Sequence, residues 1–137
     1  MKILIIGGTG TISSALTRQL AESEHELWLL NRGNRKQEVP ANVKQIIANI
    51  DDEADVLRQI GDTMFDAVCE FIGFVTEQVE RDHRLFAGRT RQYVYISSAS
   101  AYAKPVRNYI INEGTSLCNP HWEYSRNKIA CEELLMK

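Results

Sequence analysis

The sequence has little cysteine, and its three cysteines, Cys69, Cys118 and Cys131, show no CxxC spacing. An odd number without paired spacing predicts neither a disulfide framework nor a zinc site. The HWE segment at 121–123 lacks the second histidine of an HExxH motif, so it does not indicate a zinc protease site. We therefore expect no metal site, and a reducing, cytoplasmic environment for the chain.

Long apolar runs and an excess of basic charge are also missing. No segment approaches the ~20 apolar residues of a membrane span, and the apolar run ILII at 3–6 is too short for a signal peptide. The net charge of -2 excludes a general phosphate-tracking surface, so nucleic acid is not an expected partner. With 137 residues, 44% hydrophobic and 25% charged, the composition is typical of a single soluble domain.

What the sequence does contain is an alternation of short apolar runs with segments of helical spacing. Several of the runs are apolar without alternation, which is typical of parallel strands covered on both faces. Helical spacing lies between them, and a last helix is predicted to begin after Asn119–Pro120. This order predicts an α/β fold with a doubly wound parallel sheet and helices on both faces. The predicted strands cover 2–6, 26–30, 43–48, 66–71 and 92–97.

A glycine-rich turn, GGTGTIS, directly follows the first predicted strand. Gly7, Gly10 and Ser13 occupy the three positions of a G-x-x-G-x-x-G pattern at a strand-to-helix junction. The first glycine permits the tight turn, the second lets the backbone approach a pyrophosphate, and a small serine can replace the third. The free amides of the following helix then face the phosphates. The predicted cofactor contacts are Gly7, Thr9, Gly10, Thr11 and Ile12.

The residues after the second strand, LLNRGNRK, bear on which dinucleotide binds. An acidic residue there would bind the ribose of NAD, whereas a basic residue accommodates the 2′-phosphate of NADP. This chain has no carboxylate there and offers donors and positive charge from Asn31, Arg32, Arg35 and Lys36. We therefore expect NADP in preference to NAD, with a solvated basic loop as the alternative interpretation.

A serine-rich strand end and a YxxxK pair form the second candidate site. YISSASAY places Ser97, Ser98 and Ser100 at the carboxyl edge of the sheet, where open α/β folds bind ligands. Tyr124 and Lys128 lie on one face of the last predicted helix. A tyrosine is a poor base at neutral pH, but a nearby ammonium favours the phenolate form. YxxxK alone is a common pattern, and the order of the elements is what gives it weight.

Together GGTGTIS, YISSAS and YSRNKIACEELL resemble the NAD-dependent epimerase/dehydratase family, the extended or atypical short-chain dehydrogenase/reductases, over essentially the whole chain. The resemblance implies a Rossmann-type fold in which Ser98 orients the substrate and Tyr124 is the acid/base. It implies that Lys128 assists Tyr124 and binds the nicotinamide ribose. It also implies adenine contacts at Asn49 and Ile50, and cofactor contacts along Phe71 and Ile72.

The family resemblance further implies additional strands and a C-terminal substrate-binding domain after the YxxxK helix. We therefore expect residues 1–137 to be the cofactor-binding portion of a longer enzyme, incomplete as an enzyme and prone to self-association through uncovered apolar surface. The expected substrate is a small carbonyl or alcohol compound or a nucleotide sugar. A non-catalytic NAD(P)-sensing module is the alternative, and RNA binding through 32–36 is a weaker one suggested by atypical relatives.

Overall fold

The computed structural model describes residues 1–34, 38–106 and 108–137. The chain divides into two compact units, residues 1–72 with 81–96, and residues 73–80 with 97–137. In the first unit all five strands of the described chain form one parallel sheet of order β3-β2-β1-β4-β5. The strands are β1 (Lys2–Ile6), β2 (Glu26–Asn31), β3 (Lys44–Ile47), β4 (Phe65–Glu70) and β5 (Thr90–Tyr95). The helices are α1 (Ser13–Ala21), α2 (Glu53–Ile60), α3 (Thr76–Phe86) and α4 (Glu123–Leu135).

The strand order reverses at β1, which lies between β2 and β4. The chain places β2 and β3 successively on one side of β1. It then crosses to the other side of β1, where it forms β4 and β5. Such a switch point opens a crevice beside the carboxyl ends of the central strands, where ligands of open α/β sheets bind. The predicted doubly wound parallel sheet is therefore confirmed.

Apolar side chains cover the sheet on both faces. In β1, Leu4 and Ile6 belong to a core cluster that includes residues of α2 and α3. Ile3 and Ile5 point to the opposite face, into a second cluster that includes Ala21 at the end of α1. Strand side chains alternate between faces, so an unbroken apolar run is what a strand buried on both sides requires.

The second unit contains α4 and a 3₁₀ helix at Ala99–Ala101. The 3₁₀ helix packs against α4. A single antiparallel bridge joins Tyr102 to Leu117 within the connection between these two elements. Over the described ranges of both units, no helix is long and apolar enough to cross a bilayer.

The predicted start of the last helix was wrong by three residues. The helix begins at Glu123 with Trp122 as the N-cap residue, not at Asn119–Pro120. Asn119 accepts a hydrogen bond from the backbone N–H of His121 at 3.2 Å and so closes a turn before the helix. Asparagine favours such turns and helix caps for the same reason, which is why the sequence pattern did not distinguish the two.

Candidate functional site

The first glycine of the turn is held in a conformation that only glycine adopts easily. Gly7 has a φ of 79°, and its N–H donates to the carbonyl of Leu30 at 3.0 Å. A Cβ atom at this position would lie 2.5 Å from Cγ2 of Ile72. Both the backbone conformation and the close approach of Ile72 therefore exclude a side chain at Gly7.

Ser13 closes the glycine turn with its hydroxyl group. The side chain is buried, its Oγ donates to the carbonyl of Gly7 at 2.7 Å, and it accepts from the N–H of Gly10 at 2.9 Å. The sequence predicted only that a small residue fits there. Because its hydroxyl makes two hydrogen bonds to the backbone, Ser13 also stabilises the turn.

The N-terminal end of α1 leaves backbone donors uncovered beside this turn. Thr11 and Ile12 are exposed, and within the described part of the chain their N–H groups have no acceptor. Unpaired amides and the positive end of the helix macrodipole attract anionic groups. This end of α1 therefore fits the phosphates of a dinucleotide.

At the end of β2, the side chain of Asn31 has one partnered and one unpartnered atom. Its Oδ1 accepts from the N–H of Gly33 at 2.9 Å. Its Nδ2 is buried, and no described residue accepts its hydrogen bonds. A buried amide without a partner is a donor that a ligand can satisfy. The neighbouring Arg32 is exposed, and the predicted contact Arg35 lies outside the described residues.

The remaining predicted cofactor residues lie in the same unit at different depths. Asn49 is exposed and its Oδ1 accepts from the N–H of Asp51 at 3.4 Å, whereas Ile50 is 4% exposed and packs in the core. Phe71 and Ile72 are half-buried at the end of β4, and Ile72 packs against Gly7. Ile72 therefore lies directly beside the glycine turn.

A buried charged network at the end of β4 was missed by the sequence analysis. Glu70 and Asp82 are fully buried, and Arg81 donates to Asp82 Oδ1 through Nε at 3.0 Å and Nη2 at 2.8 Å. Arg81 Nη1 donates to Asp51 at 2.7 Å, and the hydroxyl of Tyr93 donates to Asp82 Oδ2 at 2.7 Å. Arg81 therefore already serves two carboxylates and lies 3.8 Å from the third, Glu70.

Glu70 is the least compensated member of this network. Burial and the adjacent Asp82 carboxylate raise the pKa of Glu70 to about 9. One oxygen of Glu70 accepts from the N–H of Ile72, while no described residue hydrogen-bonds the other. Burial and Asp82 thus favour the neutral form of the Glu70 carboxyl, and its hydrogen bond to the N–H of Ile72 shapes the turn that carries Ile72 toward Gly7.

In the second unit, Ser97 has a partner on α4, whereas Ser98 and Ser100 contact each other. Ser97 Oγ donates to Glu132 on α4. Ser98 caps the 3₁₀ helix by accepting from the N–H of Ser100 at 3.2 Å, and the two hydroxyls lie 2.9 Å apart. The sequence predicted that all three serines lie at the carboxyl edge of the sheet. It did not indicate that the hydroxyl of Ser97 is hydrogen-bonded to the Glu132 carboxylate.

The YxxxK pair lies on the first turns of α4. Lys128 is 1% exposed, and its ammonium donates to the carbonyl of Gly73 at 2.7 Å. The same Nζ lies 5.8 Å from the ring centroid of Tyr124 and 5.2 Å from that of Phe74. Tyr124 is half-buried, with its ring centroid 4.8 Å from that of Trp122 and 6.2 Å from that of Phe74.

No group of three or more histidine, cysteine or carboxylate side chains capable of holding a metal ion occurs within residues 1–34, 38–106 and 108–137.

A parallel sheet that reverses order at β1, with a glycine turn after that strand, defines a Rossmann-type dinucleotide-binding fold. The sequence profile of the NAD dependent epimerase/dehydratase family matches residues 3–137. The chain belongs to this family, so the predicted resemblance is confirmed.

Known relatives of the chain include UDP-sugar epimerases. The UDP-glucose 4-epimerase of Lactobacillus helveticus is 28% identical and is matched over 98% of this chain and 46% of its own length. The UDP-Glc/GlcNAc 4-epimerase of Campylobacter jejuni has a TM-score of 0.84 at 22% identity, over 98% of this chain and 48% of its own. The UDP-glucose 4-epimerase of Bifidobacterium longum, solved with NAD+ and UDP, has a TM-score of 0.80 at 19% identity, over 99% and 48%. The chain thus spans about half the length of these proteins, and the structural likenesses concern the fold.

Proposed function

We propose that this chain is the NAD(P)-binding part of an epimerase, dehydratase or reductase that acts through Ser98, Tyr124 and Lys128. The proposed substrate is a nucleotide sugar or another small carbonyl or alcohol compound. Membership of the family supports the class of reaction, and the names of the UDP-sugar epimerase relatives support the class of substrate.

The burial of Lys128 is the observation that carries the proposal. A lysine on an ordinary amphipathic helix keeps its ammonium in water, and lysine is almost never fully buried unless it is paired. Lys128 is 1% exposed, and its Nζ donates to the backbone carbonyl of Gly73. The same Nζ lies 5.8 Å from the centroid of the Tyr124 ring. Such a costly placement supports a functional pairing with Tyr124 over a chance YxxxK spacing.

The proposed chemistry follows from the properties of these three side chains. When bound, the dinucleotide supplies a nicotinamide that accepts or donates hydride. Tyr124 takes the proton from the substrate hydroxyl when an alcohol becomes a carbonyl, and it returns the proton in the reverse direction. The Lys128 ammonium, 5.8 Å from the centroid of the Tyr124 ring, places a positive charge near the side chain that exchanges this proton. Ser98 hydrogen-bonds the reacting oxygen of the substrate.

We propose NADP as the preferred cofactor of this chain, with NAD also bound. The end of β2 presents the buried amide of Asn31 and the exposed Arg32, and neither carries the negative charge that would repel a 2′-phosphate. Titration with NADPH and NADH, followed by nicotinamide fluorescence, tests this preference. Arg32→Glu should reverse it, and equal affinity of the unmodified chain for both would contradict it.

Substitution of Tyr124 tests the catalytic proposal. With NAD(P)⁺ and UDP-glucose as the probe, conversion of the sugar, followed by proton NMR, should fall by about 10²- to 10⁴-fold in Tyr124→Phe, whereas cofactor affinity should not change. Tyr109→Phe, at a side chain that is 92% exposed, is the matched control and should behave as the unmodified chain. Saturable cofactor binding without any conversion of the sugar would instead support the non-catalytic sensing module.

We also propose that the chain self-associates through its second unit. Tyr109, Ile110 and Ile111 are 92%, 54% and 41% exposed, which is a large apolar exposure for three consecutive residues. Light scattering across a concentration series should show a rising mass, and Ile110→Ser should reduce it. A constant monomer mass at high concentration would contradict self-association.

A further inference from the structure

Four side chains of the second unit form a continuous series of hydrogen bonds that ends at Ser98. Asn119 contacts Ser125, Ser125 contacts Ser100, and Ser100 contacts Ser98, and we refer to these four residues as the serine chain. Ser125 is 0% exposed and Asn119 is 6% exposed, so water does not compete for the inner end. The series runs from the buried start of α4 to the hydroxyl proposed to bind substrate.

The inner end of the serine chain has a defined donor direction. Asn119 Oδ1 accepts from the N–H of His121 at 3.2 Å, which turns the NH₂ group toward the other side. Asn119 Nδ2 donates to the carbonyl of Ser100 at 2.8 Å and to Ser125 Oγ at 3.3 Å. Because Ser125 Oγ accepts there, its own hydrogen is available for Ser100 Oγ, at 3.0 Å.

At the outer end, Ser100 Oγ accepts from Ser125 and lies 2.9 Å from Ser98 Oγ, a distance at which either hydroxyl can donate to the other. Ser98 Oγ also accepts from the N–H of Ser100 at 3.2 Å. When Ser100 Oγ donates as well, both acceptor positions of Ser98 Oγ are filled, and the hydrogen of Ser98 is left for the substrate.

We propose that Asn119, Ser125 and Ser100 are positioning residues that make Ser98 an obligatory hydrogen-bond donor to the reacting oxygen of the substrate. This inference rests on the proposed function and deepens it. Hydrogen bonds aligned in one direction polarise one another, so each upstream donor strengthens the last one. A donor fixed in advance favours an oxygen that gains negative charge during the reaction, as in a developing alkoxide.

The direction of the hydrogens is tested by a measurement that needs no turnover. A neutron crystal structure of the deuterium-exchanged protein should show deuterium on Ser125 Oγ pointing to Ser100, and deuterium on Ser100 Oγ pointing to Ser98. Deuterium on Ser98 Oγ that points to Ser100 would overturn the proposal, whether or not the chain is active.

The catalytic consequence is tested with a pair of variants of equal shape. Ser100→Val removes the hydroxyl and should slow the conversion of UDP-glucose about two- to tenfold, with cofactor affinity unchanged. Ser100→Thr keeps the hydroxyl and should restore the rate. Equal rates in both variants would show that the hydroxyl has no such role.

A double-mutant cycle separates positioning from a merely structural role. If the serine chain acts only through Ser98, Ser125→Ala should slow the unmodified chain and have no further effect in a Ser98→Ala background. An equal loss in both backgrounds would show that Ser125 acts independently of Ser98. An unmodified chain that does not convert UDP-glucose, or one unaffected by Ser98→Ala, would instead contradict the proposed function, while the neutron result still decides the donor direction.

Discussion

At the scale of single residues, Gly7 combines a backbone constraint with a steric one. Its φ of 79° disfavours any side chain, and a methyl group would approach Ile72 Cγ2 to 2.5 Å. We expect Gly7→Ala to lower the free energy of unfolding by about 1–2 kcal/mol for the left-handed backbone. The overpacking should add about 1–3 kcal/mol. Urea unfolding measures the sum.

Gly88 provides the matched control for this substitution. It has a similar φ of 74°, and a Cβ atom there would meet no described atom within 4 Å. Gly88→Ala should therefore show the backbone cost without the steric one. A Gly7→Ala variant no less stable than Gly88→Ala would contradict the inferred packing of Ile72 against the turn.

Residues that are adjacent in sequence were predicted more completely than contacts between distant ones. Gly7 was predictable because its strand and helix neighbours are adjacent in sequence. The hydroxyl contacts of Ser125 with Ser100 and of Ser97 with Glu132 join residues 25 and 35 positions apart. No periodicity or turn rule brings such pairs together, so the serine chain became visible only in three dimensions.

At the scale of elements, the Glu70 network joins β4, α3 and β5 through Arg81 and Asp82. Arg81 and Asp82 are adjacent on α3, Glu70 ends β4, and Tyr93 lies on β5. The sequence shows Arg81–Asp82 as an ordinary surface charge pair in a helix. Their burial follows from the packing of this turn of α3 in the core, which helical spacing of apolar residues alone did not indicate.

The raised pKa of Glu70 predicts how stability depends on pH. The folded carboxyl keeps its proton up to about pH 9, whereas the unfolded one loses it near the ordinary value of 4.5. The contribution of Glu70 to stability is therefore fully present below pH 4.5 and is lost as pH rises through 9. Glu70→Gln keeps a neutral side chain at every pH, so its stability advantage should grow with pH by up to about 1.4 kcal/mol per unit in this window.

Unfolding by urea at several pH values measures this difference. Glu80→Gln, at an exposed carboxylate of α3, is the control and should show no such growth. A constant difference between Glu70→Gln and the unmodified chain from pH 5 to pH 9 would show that Glu70 is ionised in the folded protein.

At the scale of the whole molecule, the sheet was predictable, and the connection that precedes α4 in the second unit was not. Unbroken apolar strands and the βαβ order define a parallel sheet, because little else buries such strands on both faces. The connection between Ser98 and Pro120 has no periodicity, its Tyr102–Leu117 bridge pairs backbone segments that are far apart in sequence, and its 3₁₀ helix is capped by a side chain. The sequence could therefore place Ser98 at a strand end, but not the partners of its hydroxyl.

Linkage between folding and cofactor binding gives the last prediction. A ligand that binds only the folded chain stabilises it by about 2.7 kcal/mol at one hundred times its Kd, so NADPH should raise the thermal midpoint. Thr11→Asp separates binding from stability, because a carboxylate at the exposed N-terminal end of α1 favours the helix dipole but repels phosphates. At the same NADPH concentration a tenfold weaker affinity would halve the stabilisation to about 1.4 kcal/mol, while the ligand-free midpoint should not fall. Thr11→Ser is the neutral control, and an undiminished NADPH shift in Thr11→Asp would show that the phosphates bind elsewhere.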